Sequence, residues 1–345
     1  MNGILTRTIE DERKAVRAVR VSRFILRKSI KLASLLIAVS VVSFWLANAS
    51  PVDPVQAYIG ADMMLVGADQ REEIAERWGL EATPVEQYVS WAQLLIQGDF
   101  GNSMIHRQPV IDVISERFLA SLALMGAAWL FSGMFGFILG SIAGMKEGTW
   151  TDRIIKWYCL TLASTPTFWL ALLLLIVFSV WLGWFPVGMG VPQGVLEVDV
   201  TFADRIRHLI LPALALSILG VANVALHTRQ KLVDVMTSDY ILFARAKGES
   251  GLTLYFRHGI RNISLPAVSL HFASFGELFG GAILAEQVFS YPGLGQATVA
   301  AGLQGDVPLL LGIVLFTTVF VFVGNLIADL IYTIVDPRIK EGRIV

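Results

Sequence analysis

The chain has 345 residues, 55% of them hydrophobic and only 16% charged, with a mean hydropathy of +0.63. Soluble domains carry about a quarter charged residues, so this is the composition of an integral membrane protein, surrounded by membrane lipid rather than nucleic acid. The net charge of −1 identifies no partner, because charge is segregated along the chain, and the single Cys159 rules out a disulfide framework or a cysteine metal cluster within one chain.

A bilayer core needs roughly 20 mostly apolar residues per helix. Six runs qualify, at about 29–49, 118–145, 154–183, 209–227, 266–289 and 309–335. They are continuously apolar rather than alternating, which argues against a β-barrel. The expected fold is therefore all-α: a polytopic membrane protein with six transmembrane helices. The stretch 1–28 is a basic leader without a small-residue cleavage site, so it does not have the pattern of a cleavable signal peptide.

Lysine and arginine fix the orientation. The leader and the start of the first run carry Arg7, Arg13, Lys14, Arg17, Arg20, Arg23, Arg27, Lys28 and Lys31. The second connection carries Lys146, Arg153 and Lys156, the fourth carries Arg229, Lys231, Arg245, Lys247, Arg257 and Arg261, and the tail 336–345 carries Arg338, Lys340 and Arg343. The other connections hold only Arg71, Arg77, Arg107, Arg117, Arg205 and Arg207. That alternation places both termini and the loop 228–265 in the cytoplasm. The first connection, 50–117, is then an external cap, in which eleven Asp and Glu face four Arg. Helical patterning at 70–78 and 84–96 gives it structure, and Trp78, Tyr88 and Trp91 suit packing against the span ends. Two readings of the cap stand, a solvated cap over the helix bundle or a partner-docking surface, and an acidic cap also favours cationic ligands by electrostatic steering.

Within the spans, Gly133, Gly136, Gly140 and Gly144 are spaced for close helix packing, with a hinge as the other reading. Pro166 predicts a kink. Between the fourth and fifth spans lies a basic, partly amphipathic island, 239–266, far longer than a simple connection requires, with Gly248 and Gly251 as punctuation. Ionisable groups inside a membrane are costly and face the bundle interior or water. Glu277 has two readings, packing or an aqueous path, and Glu286 lies near the outer end of the same span. His271 is expected to snorkel to the cytoplasmic boundary. Asn325 and Asp329 share a helix face and are expected to bond between helices. Around Phe289, Pro292 and Gly293 the sequence demands turns, either a gate element or an ordinary bend.

No P-loop, His-Glu-x-x-His or Gly-x-Ser-x-Gly is present, and the five histidines are scattered. No catalytic residue, metal site or enzyme activity is expected in this chain.

The island Asp239-Tyr240-x-x-x-Ala244-Arg245-Ala246-Lys247-Gly248, followed by Arg257-His258-Gly259-Ile260-Arg261-Asn262 and Leu265-Pro266, resembles the EAA loop of ABC-importer permeases, in its peptide-importer version. Further resemblances follow in order: Gln97-Gly98-Asp99-Phe100-Gly101-x-Ser103, Thr165-Pro166-Thr167-Phe168-Trp169-Leu170, Leu182-Gly183-Trp184-Phe185-Pro186-Val187, Asp204-Arg205-Ile206-Arg207-His208-Leu209-Ile210-Leu211-Pro212-Ala213, Glu286-x-x-Phe289-Ser290-Tyr291-Pro292-Gly293-Leu294-Gly295 and Asp336-Pro337-Arg338-Ile339. The long first external connection is typical of the first permease subunit of the peptide/nickel importer family. The sequence departs from the family at Leu242 and Phe243, where a polar pair is usual, and at His271 and Glu277, where small or apolar residues are usual.

The resemblance implies the ABC type I importer fold and a division of labour. A second homologous permease completes the pathway, an extracellular solute-binding protein delivers substrate, and two cytoplasmic ATP-binding subunits hold ATP and Mg; this chain needs no cofactor. Asp239, Tyr240, Phe243, Ala244, Arg245, Ala246, Lys247 and Gly248 would form the element that docks on an ATPase. Its residues favour a helix that Gly248 can end, with Phe243 as a buried anchor. Glu277, Glu286, Phe289, Pro292 and Gly293 would belong to the translocation path or its gate. Di- or oligopeptides are the expected substrates, with nickel complexes, glutathione or oligosaccharides as alternatives. A secondary transporter is the alternative outside this class; it would show an internal repeat, and none is visible.

Overall fold

The computed structural model describes residues 2–50 and 82–335, with Val55, Ile59, Gly67, Asp69, Gln70 and Glu73 between them. The helix expected at 70–78, including Trp78, and the tail 336–345 lie outside the described residues. The described residues form helices and loops with no strand: α1 (Asn2–Asn48), α2 (Pro84–Ile96), α3 (Val110–Met145), α4 (Trp150–Ala163), α5 (Thr167–Leu174), α6 (Phe202–Met236), α7 (Asp239–Ala246), α8 (Gly251–Leu254), α9 (Ile260–Ala273), α10 (Phe275–Val288), α11 (Leu294–Gln304) and α12 (Val307–Val335).

Four helices are long and apolar enough to cross a bilayer unaided: Ser22–Asn48 within α1, α3, α6, and Val307–Ile331 within α12. The two remaining spans differ from the continuous runs expected at 154–183 and 266–289, because each is a bent pair of helices. The α4–α5 pair turns through 107°. Pro166 lacks an N–H, and it disfavours helix at the residue before it; here it caps α5 in extended conformation. Ser164 and Thr165 donate their hydroxyls back to the carbonyls of Leu160 and Thr161 at the end of α4. The sequence predicted a kink; the result is a change of direction. The α9–α10 pair bends by 53° at Ser274, without a proline. There the Ser274 hydroxyl donates to the His271 carbonyl at 3.0 Å, competing with the helix ladder.

The glycine stripe explains the central packing. A Cβ at Gly140 would lie 2.4 Å from the Ala225 carbonyl oxygen, one at Gly136 2.6 Å from Val224 Cβ, and one at Gly144 2.9 Å from Leu232 Cβ. From the other side, a Cβ at Gly220 would meet Ser132 at 2.7 Å. Helices α3 and α6 therefore touch backbone to backbone over several turns. Helix α3 also starts at Val110, earlier than the apolar run suggested. Two apolar cores share it. One gathers Leu124, Met125 and Ala128 with Ala171, Leu211, Ala282 and Phe289; the other joins Val110, Val113 and Ile114 to Leu294, Ala297 and Ile313.

Helix α2 is a helical part of the cap, nucleated by a reciprocal capping box between Thr83 and Glu86 with Pro84 in the first turn. Tyr88 and Trp91 pack on Phe44 of α1, and the Tyr88 and Ser40 hydroxyls are 2.9 Å apart.

Candidate functional site

The distinctive motifs collect at two ends of the bundle. At one end, the island 239–266 folds into α7, α8, a π-helical turn at Tyr255–Gly259, and the start of α9. Helix α7 ends as a Schellman motif: the Glu249 N–H reaches the Ala244 carbonyl and the Gly248 N–H the Arg245 carbonyl, with Gly248 at φ +92°. Asp239 lies in the first turn, where the helix dipole favours an anion. Ile241 and Ala244 are buried against Val235, Met236 and Leu254. Ala244 thus seats α7 on its own chain, whereas Tyr240, Leu242 and Phe243 point outward, Phe243 with 63% of its surface exposed. Arg245, Ala246 and Lys247 are also exposed, and the Lys247 ammonium sits 4.4 Å from the centre of the Phe243 ring. Glu249 pairs with Arg257 and His258, each at 2.9 Å, and Asn262 donates to the Tyr240 hydroxyl at 3.1 Å.

This end is anchored to the bundle. The Tyr255 hydroxyl donates to Ser141 of α3 at 3.0 Å, and Gly259 lets the chain close on Met236 and Leu232. Asp152, fully buried, accepts two bonds from Arg229, at 2.6 and 2.8 Å, and one from the Gly148 N–H at 3.0 Å. That pair locks α4 to α6. Sequence reasoning counted Arg229 only as a topological charge and passed over Asp152. An acid at the head of an apolar run, near several bases, was the available sign.

At the other end, three motifs distant in sequence meet around Glu286. Its carboxyl accepts from the Ser121 hydroxyl at 2.6 Å and from the N–H groups of Gly295 and Gln296 at 2.7 and 3.1 Å. Ser121 in turn accepts from the Leu294 N–H at 2.8 Å. Glu286 therefore caps the first turn of α11, a helix that the sequence reading did not foresee. Gly293 makes room for it, since a Cβ there would lie 2.2 Å from the Glu286 carboxyl carbon. The Phe289 carbonyl accepts from the Met189 N–H at 2.9 Å, and His208 bonds the carbonyls of Gly188 and Met189 at 3.0 and 2.9 Å. Burial pushes the Tyr291 phenol up to about 12, with nearby Glu286 adding to the shift. Beside this knot, buried Asp306 accepts from the Ser103 hydroxyl at 2.6 Å and from the Ile105 and Leu309 N–H groups. It pins the 97–109 loop to the start of α12.

Of the residues expected in a path or gate, Glu286 and Phe289 are both 1% exposed and bonded or packed within their own chain; Gly293 is buried with them and Pro292 is half-buried. One expectation changes here. His271 does not snorkel. It is buried and stacked on Trp129, ring centres 4.3 Å apart, in a reciprocal pair: Trp129 donates its indole N–H to the His271 carbonyl, and His271 Nε2 bonds the Trp129 carbonyl. Asp329 pairs with Lys28 of α1 at 2.9 Å, the interhelical link expected of it, while Asn325 lies over Gly276 of α10. Glu277 stays exposed.

Ser121 and Ser141 stand on one helix, and at about 1.5 Å per residue they are roughly 30 Å apart. The Glu286 knot and the island are thus separated by about the thickness of a bilayer core and tied to the same α3. A helical bundle with four long apolar helices, two broken spans and an anchored, outward-facing amphipathic helix at one end is the architecture of a polytopic membrane protein. Residues 136–341 match the family model described as "Binding-protein-dependent transport system inner membrane component", and residues 21–125 match that described as "Binding-prot-dependent transport system membrane comp, N-term". The chain belongs to this family of ABC-importer permeases. It is 36% identical over 318 residues to the oligopeptide transport system permease protein AppB of Bacillus subtilis (strain 168), covering 92% of this chain and 99% of that protein. It is 33% identical over 335 residues to the di/tripeptide transport system permease protein DppB of Pseudomonas aeruginosa (strain UCBPP-PA14), with 93% and 99% coverage. It is 34% identical over 318 residues to the glutathione transport system permease protein GsiC of Escherichia coli (strain K12), with 92% and 98% coverage.

Proposed function

We propose that this chain imports di- or oligopeptides as one of two homologous permeases, paired with two cytoplasmic ATP-binding subunits and fed by an extracellular binding protein. ATP and Mg would be held by the ATP-binding subunits. The charge alternation supports cytoplasmic termini, which puts α7 on the cytoplasmic side and the Glu286 knot on the outside. The substrate class follows the relatives named for peptides, and glutathione, the ligand named for a third relative, is itself a small peptide.

One observation carries the coupling role: α7 is a short, capped helix whose inner face is fixed to α6 and α8 and whose outer face offers Tyr240, Leu242 and Phe243, flanked by Arg245 and Lys247. That face fits a cleft with an apolar floor and an acidic rim. Force applied to α7 by an ATP-binding subunit would pass through Ile241 and Ala244 to α6, and through Tyr255 to α3. The test is ATP-dependent uptake by the reconstituted complex carrying Phe243→Asp or Gly248→Arg. Both variants should insert normally and lose coupled uptake. Normal uptake by both would refute the docking role, and ion-driven transport by the chain alone in liposomes would sink the importer reading.

A further inference from the structure

The outward face of α10 has a composition that lipid does not explain. Glu277, Gly280, Leu284 and Gln287 are all exposed, and their spacing puts them on one stripe. The opposite face, with Ala282, Ala285 and Glu286, is buried in the chain. A Cβ at Gly280 would meet nothing within 4 Å, so the stripe is open at its centre. Glu277 lies between His271, level with Trp129, and Glu286, level with Ser121, and so stands inside the span. Its carboxylate makes no hydrogen bond or ion pair with the described residues.

Nor does its neighbourhood in the chain supply a compensating charge. No Lys or Arg occurs between Arg261 and Arg338. Lys28, the base that reaches α12, is taken by Asp329, and Arg117 reaches Gln296 at the Glu286 end. A carboxylate at this depth faces water or a cation, not hydrocarbon.

We propose that this stripe lines the substrate path and that Glu277 recognises a cationic group of the passing substrate, an ammonium or guanidinium, so that the permease favours positively charged peptides. The acidic composition of 50–117 works in the same direction, raising the local concentration of cations before they reach the span. The inference rests on the importer reading above, and its test separates the two.

Lining is tested first, without reference to substrate. Cys159 is buried and is the only cysteine of this chain, so Cys159→Ala removes its background, and labelling in the full complex is read on this chain after it is separated from its partners. Glu277→Cys, Gly280→Cys and Leu284→Cys should react with a membrane-impermeant thiosulfonate reagent, and Ala282→Cys should not. Failure of all three to react overturns the path. Selectivity is tested by ATP-driven uptake of trilysine against trialanine. Glu277→Gln should lower the trilysine rate about tenfold relative to the trialanine rate, with ATP hydrolysis and the binding protein's Kd unchanged. Equal loss for both peptides would show that Glu277 instead pairs with a base of the second permease, and no loss would show that it recognises nothing; either overturns the proposal. If the wild-type complex moves neither peptide, the importer-of-peptides reading fails and with it the substrate class, while the cysteine pattern still decides the path.

Discussion

Replacing Glu286 should release α11 in a graded way. In Glu286→Ala the N–H groups of Gly295 and Gln296 lose their acceptor, and the Ser121 hydroxyl loses its own. Gly295 is buried and Gln296 half-buried, so water replaces these bonds poorly. A buried donor left without a partner costs about 1–3 kcal/mol, which gives about 2–6 kcal/mol for the two N–H groups. Glu286→Gln keeps an oxygen towards the N–H pair and offers its amide N–H to Ser121, so its cost should stay below about 1.5 kcal/mol, one neutral hydrogen bond. Hydrogen exchange of the segment 294–304 in the nanodisc-held complex reads the difference locally. With a tenfold change for about each 1.4 kcal/mol, the Ala variant should exchange roughly 25-fold faster or more, and the Gln variant less than about 12-fold faster. Unchanged exchange in Glu286→Ala would refute the capping role. A Gln variant as damaged as the Ala variant would refute the geometry of the exchange of partners.

Gly140→Leu should separate α3 from α6, because even a Cβ overlaps the Ala225 carbonyl; overpacking typically costs about 1–3 kcal/mol, and backbone contact puts this site at the upper end, readable as a lower melting temperature of the complex. Asp152→Ala should cost about 3–5 kcal/mol by leaving the Arg229 guanidinium without its buried partner, while Asp152→Ala with Arg229→Met should recover part of that loss in the same melt. The Glu86 carboxyl lies below the usual carboxylate range because the Thr83 N–H and hydroxyl bond its anion. Its support of α2 is therefore full above the unfolded-state value, near pH 4.3, and is lost as pH falls through the lowered folded value. Exchange protection of 84–96 should decline across that acid range in the wild type and show no such step in Glu86→Gln.

The sequence by itself determined the membrane class, the number of apolar runs, the close packing of the glycine stripe and the outline of the 239–266 island. These depend on local quantities: run length against bilayer thickness, small-residue spacing, and Gly248 at a position that requires positive φ. Pro166 was legible as an interruption, but the 107° turn it produces depends on what α5 packs against. The bend at Ser274 was not legible, because serine is tolerated within helices and breaks one only where its surroundings let the side chain win the carbonyl. Tertiary structure alone decided which face of each element looks inward. It turned Ala244 onto its own chain and left Phe243 outside, and it buried His271 against Trp129. Through contacts spanning more than a hundred residues, it also turned Glu286 to cap a helix beside Ser121, while leaving Glu277, nine positions earlier on the same helix, without a hydrogen-bond or ion-pair partner among the described residues. The two carboxyls look alike in sequence; their roles diverge because helix phase and the neighbouring backbone are set only when distant spans meet.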